Sequence, residues 1–221
     1  MPNGAKILIA GLPNTGKTTL LKTLKNAFVI SRDGKPFSLP MPHVNVPEYQ
    51  KIDDLLDLVQ EKLTAYEEKF KALPDTICFD SVSRIFTDIE ASCSKRFHGY
   101  DVWSNVNKEI NTFLDALNSM QESGFNLVLT AHAVWDVDAK KFIETCKGSF
   151  AKTGGFLSVV DYAIYIDIVG QKRIVTHRGA NLARTLLDEM PDKQDVKDFD
   201  LQKYIDAIKS KSTEVQEKWE I

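Results

Sequence analysis

Residues 11–18 read GLPNTGKT. They fit the pattern G-x-x-x-x-G-K-S/T, in which a glycine-rich loop places its backbone N–H groups around phosphate. The apolar residues 7–10 precede the loop and predict a buried strand, and residues 18–26 follow it with helical spacing. Because the helix dipole adds positive potential where those N–H groups converge, this order predicts a phosphate-binding loop between a strand and a helix.

The chemistry of a nucleoside triphosphate assigns a role to the residues of this loop. Lys17 is predicted to neutralise the β- and γ-phosphates, and the Thr18 hydroxyl to coordinate Mg²⁺. The expected ATP-binding residues are Gly11, Pro13, Asn14, Thr15, Gly16, Lys17, Thr18 and Thr19. A glycine turn with an incidental lysine is the alternative, and the flanking strand and helix disfavour it.

Composition limits the architecture to one large domain. The chain has 221 residues, of which 43% are hydrophobic, enough for one α/β core. Its net charge of −3 gives no global positive field, although a local basic loop can still bind nucleic acid. We expect a core over residues 1–199 and a C-terminal helix of the same domain over residues 200–221.

The cysteines, the histidines and the hydropathy pattern disfavour further classes. Three cysteines without metal spacing are typical of reduced thiols in a cytoplasmic protein. The four histidines are scattered and show no zinc-binding pattern. No apolar run reaches the roughly 18 residues of a membrane span, and the N-terminus lacks the layout of a signal peptide. We therefore expect a cytoplasmic protein without a membrane segment.

Apolar strands alternate with amphipathic helices along the chain. Strands are predicted at residues 6–10, 27–31, 76–80 and 125–131. Helices are predicted at residues 18–26, 51–72, 82–94, 102–123 and 200–219. A β-hairpin is predicted at 162–169 and 173–177, a further strand at 181–187, and loops at 34–50 and 133–155. The alternation predicts an α/β fold: a mostly parallel central sheet, flanked by helices, with an antiparallel hairpin at one edge.

Two aspartates at strand ends supply the acidic groups that such a site needs. Asp80 follows the apolar residues 76–79 and is the candidate for holding Mg²⁺; a helix N-cap is a compatible alternative. The next residue is Ser81 rather than glutamate, so the group that orients the attacking water is expected on another strand. Asp33, after the second strand, is that candidate, and an ordinary turn aspartate is the alternative.

Absent motifs disfavour other phosphate-loop classes. The guanine-reading motif N-K-x-D does not occur, since residues 107–110 read NKEI. The sequence also lacks the L-S-G-G signature of transporter ATPases and the arginine-rich lid of a small-molecule kinase.

Taken together, these motifs resemble the RecA superfamily and, within it, the small phage-encoded RecA-like ATPases associated with single-strand annealing and recombination. The matches are GKTT at residues 16–19, an acid after the second strand, DSV at residues 80–82 and TGG at residues 153–155. They follow the family's order over most of residues 5–179. The resemblance implies binding of ATP, Mg²⁺-dependent hydrolysis, self-assembly into a homo-oligomer and binding of single-stranded DNA. For a phage-encoded protein it implies the host cytoplasm.

The resemblance also implies roles for two strand-end residues. Asp33 stands where the family has its catalytic acid, here shortened to aspartate. His132 stands where the family has a polar γ-phosphate sensor, usually glutamine, and histidine can donate to phosphate in a similar way. A histidine with ordinary strand-end partners is the alternative. Lys17, Asp33, Asp80 and His132 therefore form the predicted catalytic set.

Two segments interleave basic and aromatic residues, a combination that follows a nucleic-acid backbone and stacks bases. They are residues 95–103 and 133–155, and a solvated loop without a partner is the alternative for both. The candidate contacts to single-stranded DNA are Lys95, Arg96, Lys140, Lys141, Lys147 and Lys152. In such assemblies a neighbouring subunit can complete the nucleotide site with a basic residue, and the candidates are Lys152, Arg173 and Arg178.

The sequence thus favours an ATP-hydrolysing RecA-like protein that binds single-stranded DNA and promotes annealing or recombination. A nucleotide-gated protein-interaction module, which loads or regulates replication proteins and hydrolyses ATP slowly, is the second hypothesis. A small-molecule phosphotransferase is the third, and the missing lid disfavours it.

Overall fold

The computed structural model describes residues 4–138 and 140–219. Within these ranges a mixed sheet contains nine strands: β1 Lys6–Gly11, β2 Ala27–Ser31, β3 His43–Asn45, β4 Thr76–Asp80, β5 Asn126–Asp136, β6 Lys141–Glu144, β7 Tyr162–Val169, β8 Lys172–Thr176 and β9 Lys193–Asp195. The α-helices are α1 Lys17–Leu20, α2 Ile52–Phe70, α3 Val82–Arg96, α4 Tyr100–Glu122 and α5 Leu201–Trp219. Short 3₁₀ turns lie at Leu21–Thr23, Phe150–Thr153, Gly155–Ser158 and Val196–Asp198.

The sheet is mostly parallel, with antiparallel strands at one edge. Its order is β3-β2-β4-β5-β1-β7-β8-β9, and β6 pairs with β5 outside this path. The strands from β3 to β7 in this order pair in parallel, whereas β8, β9 and β6 pair antiparallel. The expected fold class is therefore confirmed.

Alternating side chains of the central strand explain why helices cover both faces. On β1, Leu8 packs into a cluster with apolar residues of α2, α3 and α4. Its neighbours Ile7 and Ile9 point the other way and pack with α1 and α5. All three side chains are fully buried. This two-sided burial is why the strand reads as a continuous apolar run.

The parallel pairing brings the carboxyl ends of four strands to one edge. Gly11 at the end of β1 lies opposite His132 on β5, and Asp80 at the end of β4 lies opposite Thr130 on β5. β2 ends beside β4, where Ser31 is opposite Asp80. The residues that follow or end these strands therefore meet at one place.

Four local expectations were wrong. Residues 133–155 do not form one loop, because β5 continues to Asp136 and pairs with β6. The expected loop 34–50 contains the short strand β3. The first helix, expected over residues 18–26, ends at Leu20, and a 3₁₀ turn follows it to Thr23. Residues 181–187 form only an isolated bridge between Ala163 and Arg184 instead of a strand, and the strand beside β8 is β9.

The C-terminal helix packs on the same sheet as the core. Leu201, Tyr204, Ile205 and Ile208 of α5 are buried in the cluster that contains Ile9. None of the helices within the described ranges is both long and apolar enough to cross a membrane.

Candidate functional site

A polar cavity of about 420 Å³ opens at the carboxyl edge of the sheet. It is lined by Pro13, Asn14, Gly16, Lys17, Thr18, Thr19, Asp33, Lys35, Asp80, His132 and Arg173. Six of the eight residues predicted to bind ATP line this cavity; of the other two, Thr15 is buried and Gly11 begins the loop. The four residues of the predicted catalytic set all line this cavity.

Glycine is required at two positions of the loop by different local constraints. A Cβ on Gly11 would lie 2.6 Å from the carbonyl oxygen of Ile166 and 2.7 Å from Thr15 Oγ1, so a side chain cannot fit between β1 and β7. Gly16 has a φ of 98°, in the left-handed region that other residues avoid. These constraints hold the loop in the shape of a cradle.

Lys17 is a buried cation without a carboxylate partner in the described part of the chain. Its Nζ donates to the carbonyl oxygens of Gly11 and Leu12, each at 2.9 Å. Burial lowers the pKa of Lys17, and the nearby Asp80 and Asp33 oppose that shift. A partly desolvated ammonium at the start of a helix that follows a glycine-rich loop suits an anionic ligand.

Asp80 and Thr18 present hard oxygen atoms to the same point. Thr18 Oγ1 donates to Asp80 Oδ2 at 2.7 Å, and Thr130 Oγ1 donates to Asp80 Oδ1. Burial raises the pKa of Asp80, while the hydrogen bonds from Thr130 and Thr18 lower it. Because carboxylate and hydroxyl oxygens suit Mg²⁺, these residues fit the metal that the loop motif implies.

Ser81, rather than Asp80, caps the following helix. The Asp80–Ser81 peptide bond is cis, and the Ser81 side chain accepts a hydrogen bond from the backbone N–H of Arg84. The alternative interpretation of Asp80 as an N-cap was therefore wrong. The Asp80 carboxylate remains directed into the cavity.

Asp33 and His132 form a contact across the cavity. His132 Nε2 lies 3.2 Å from Asp33 Oδ1, and the backbone N–H of His132 donates to Ser83 Oγ at 2.9 Å. The hydrogen bond from His132 lowers the pKa of Asp33 more than burial raises it. The second ring nitrogen, Nδ1, is buried and has no hydrogen-bond partner among the described residues. A carboxylate and an imidazole therefore face the space next to Asp80 as one pair.

The predicted DNA contacts fall into two groups. Lys95, Lys140, Lys141 and Lys152 are exposed. By contrast, Arg96 forms an ion pair with Glu109, and Lys147 Nζ lies 2.7 Å from Glu90 Oε2. Both ion pairs hold α3 against its neighbours, so these two cations are less available to a ligand.

Exposed aromatic side chains accompany the available lysines. Trp135 on β5 is 52% exposed and meets Phe142 of β6 edge to face, with ring centroids 5.1 Å apart. Tyr100 and Trp103, at the start of α4, are 86% and 48% exposed. The strand that carries His132 thus leads directly into the exposed hairpin β5–β6.

Three residues of the site lay outside the sequence prediction of its nucleotide-binding and catalytic groups. Lys35 and Arg173 line the cavity, and Thr130 binds Asp80. Thr130 had a readable signal, since it lies two residues before His132 on a strand expected to be parallel to β4. Arg173 had been considered only as a residue that a neighbouring subunit donates, and it lies beside the loop of its own chain.

Comparison with known families agrees with this geometry. A family model described as an AAA domain matches residues 3–185, which include every residue that lines the cavity. No curated protein matches the chain. Since the match covers well over half of the sequence, the chain belongs to the AAA domain family, whose members are P-loop nucleoside triphosphatases.

Proposed function

We propose that this protein is a Mg²⁺-dependent, RecA-like ATPase that binds single-stranded DNA and promotes annealing or recombination. The observation that carries the proposal is the convergence of Lys17, the Thr18–Asp80 pair and the Asp33–His132 pair in one cavity. Phosphate-binding, metal-binding and water-orienting groups are the three components that phosphoryl transfer to water needs.

The geometry supports a division of roles among these residues. The backbone of residues 11–18 and the Lys17 ammonium hold the triphosphate, and Asp33 accepts a hydrogen bond from the attacking water. The water oxygen bonds to the γ-phosphorus as the bond to the bridging oxygen breaks, which yields ADP and inorganic phosphate. Thr18 and Asp80 would hold Mg²⁺, which would neutralise charge on the phosphates when bound. His132 lies beside Asp33 and senses the γ-phosphate, and it thereby distinguishes ATP from ADP.

The hairpin β5–β6 supports the DNA-binding part of the proposal. Trp135 offers an exposed ring, and Lys140 and Lys141 stand exposed on the same hairpin. Aromatic stacking and phosphate contacts together are typical of sequence-independent binding to single strands. The hairpin is continuous with the strand of His132, so one backbone segment links the proposed γ-phosphate contact to the proposed DNA contact.

Turnover with and without single-stranded DNA tests the proposal. We expect ATP hydrolysis that requires Mg²⁺ and rises on addition of an unstructured oligonucleotide. Binding to the oligonucleotide should weaken steeply with salt because phosphate contacts release counterions. Binding that is absent in the presence of an ATP analogue, or that does not respond to salt, contradicts the DNA-binding role. A size measurement with and without nucleotide tests for the homo-oligomer.

A nucleotide-gated protein-interaction module is the second candidate function. Two observations favour it: Asp33 is shorter than glutamate and already pairs with His132, and Arg96 and Lys147 are held in intramolecular ion pairs. Such a module hydrolyses ATP slowly and does not respond to single strands. The same assay therefore separates the two functions.

A further inference from the structure

Arg173 is placed beside the phosphate-binding loop by the register of the sheet. It lies on β8 opposite Ile168 of β7, and β7 pairs with β1, the strand that leads into the loop. Val175, two residues further on β8, is buried in the cluster on the face that α1 covers. Because side chains alternate along a strand, Arg173 lies on that same face, closer to the loop.

The stem of Arg173 lies over Gly16, one of the two loop residues that have no side chain. A Cβ built on Gly16 would lie 3.4 Å from Cδ of Arg173, 3.7 Å from Nε and 3.9 Å from Cζ. The Arg173 side chain therefore lies over Gly16 with little more than the space of a Cβ between them, and it also lines the cavity.

The guanidinium of Arg173 is not used elsewhere. Among the residues that the structure describes, none forms a hydrogen bond or an ion pair with it, whereas Arg178 donates to the carbonyl oxygens of Leu187 and Met190. Lys17, the cation within the loop itself, already donates to two carbonyl oxygens. Arg173 is thus an unpaired cation with five N–H donors at the mouth of a phosphate cradle.

We propose that Arg173 binds the triphosphate held by the loop of its own chain, and that a neighbouring subunit does not use it. A guanidinium fork matches the paired oxygen atoms of phosphate, and the Arg173 guanidinium already lies beside the loop before a nucleotide binds. The inference rests on the proposed function, because it assumes that the cavity binds a nucleoside triphosphate.

Equilibrium binding of a fluorescent ATP analogue with Mg²⁺ tests the contact directly. We expect Arg173→Ala to weaken binding roughly tenfold and Arg173→Lys to restore it only in part, since a charge-assisted hydrogen bond contributes on that scale. Lys172→Ala is the matched control, because Lys172 is also exposed on β8 and does not line the cavity. Equal affinities of Arg173→Ala and wild type overturn the proposal.

Dilution and subunit mixing distinguish the chain's own site from a neighbour's. A contact within the chain weakens binding in Arg173→Ala at every protein concentration. A deficit seen only at concentrations where the chain self-associates overturns the proposal. Arg173→Ala and Lys17→Ala chains can be co-expressed, so that an intact Arg173 stands next to an intact Lys17 only across a subunit interface. The mixture should hydrolyse no more ATP than its Arg173→Ala chains hydrolyse alone. Recovery of turnover in the mixture also overturns the proposal. If the wild type binds the analogue without hydrolysing ATP, the proposed function fails, while the affinity comparison still tests Arg173.

Discussion

Strand β5 passes through two regions that differ in the burial and pairing of their side chains. At Thr130 and His132 the strand is buried or half-buried, and its side chains already bind Asp80 and Asp33. A few residues later, at Trp135, the same strand is half exposed and carries its aromatic ring into solvent. The comparison contrasts a cradle whose polar groups are already paired within the chain with a hairpin whose aromatic and basic groups face solvent. Substitutions in the two regions should therefore affect different measurements.

The largest effect is expected in the cradle, from Lys17→Ala. Loss of the buried ammonium leaves the phosphates without their main cation, so ATP turnover should fall about a thousandfold. A steady-state phosphate-release assay measures this. Lys22→Ala, which removes an exposed lysine from the turn after α1, should change turnover little. Substantial hydrolysis by Lys17→Ala would remove the active-site assignment.

Asp80→Asn should reduce turnover about a hundredfold and raise the Mg²⁺ concentration needed for half-maximal rate. The amide keeps the shape of the side chain but loses the charge that we propose orders the metal's water ligands. Asp75→Asn, at the exposed start of the same strand region, is the matched control. A normal Mg²⁺ requirement in Asp80→Asn speaks against a metal at this carboxylate.

The pH dependence of turnover should change in His132→Ala. The hydrogen bond from His132 lowers the pKa of Asp33, so wild-type Asp33 stays ionised at lower pH than an ordinary aspartate. Removing the ring raises that pKa, and the acid limb of the pH–rate profile should move to higher pH. His132→Gln, which can still donate to Asp33, should shift it less. Superimposable profiles for all three proteins would show that Asp33 is not the group that titrates.

In the hairpin, Trp135→Ala should weaken binding to single-stranded DNA roughly tenfold, since stacking contributes about 1–3 kcal/mol per base. Basal ATP turnover without DNA should stay close to that of wild type, and Trp135→Phe should retain most of the affinity. Fluorescence anisotropy with a labelled oligonucleotide measures the change. An unchanged affinity in Trp135→Ala would place the DNA contact elsewhere.

The smallest effect is expected at Glu144, the last residue of β6. Its buried carboxylate accepts a hydrogen bond from the backbone N–H of Leu157 at 3.2 Å, and burial raises the pKa of Glu144. A raised pKa means that the folded state binds the proton more tightly than the unfolded state, so this stabilising contribution is lost as pH rises.

Glu144→Gln stays neutral at every pH, so its free energy of unfolding relative to wild type should increase between pH 5 and pH 8. Urea unfolding at both pH values measures this, with the exposed Glu68→Gln as control. A difference that does not change with pH would contradict a buried, titrating Glu144.

The two regions also differ in how well the sequence predicts them. The bounds of β2 and β4, Ala27–Ser31 and Thr76–Asp80, agree with the predicted strands because each is a short, fully buried run. The hairpin was predicted as a loop. Its strands mix charged and apolar residues, so the sequence shows no clear strand pattern there. The pairing of Trp135 with Phe142 in the structure is what identifies the two strands.

The parts of the site that the sequence does not predict depend on contacts between residues far apart in the chain. The loop motif defines its own geometry within eight residues, so Lys17 and Thr18 can be predicted locally. Asp33 and His132 are 99 positions apart, and their contact depends on the strand order. Arg173 carries no motif at all, and only the register of β8 against β7 brings it to the loop.

A crystal structure with Mg²⁺ and a non-hydrolysable ATP analogue tests the central claim most directly. We predict a triphosphate along residues 11–18, with Mg²⁺ between the Thr18 hydroxyl and the phosphates and Asp80 beside the metal. A nucleotide bound outside this cavity, or a Thr18 hydroxyl that still donates to Asp80 with no metal between the loop and β4, would contradict the account.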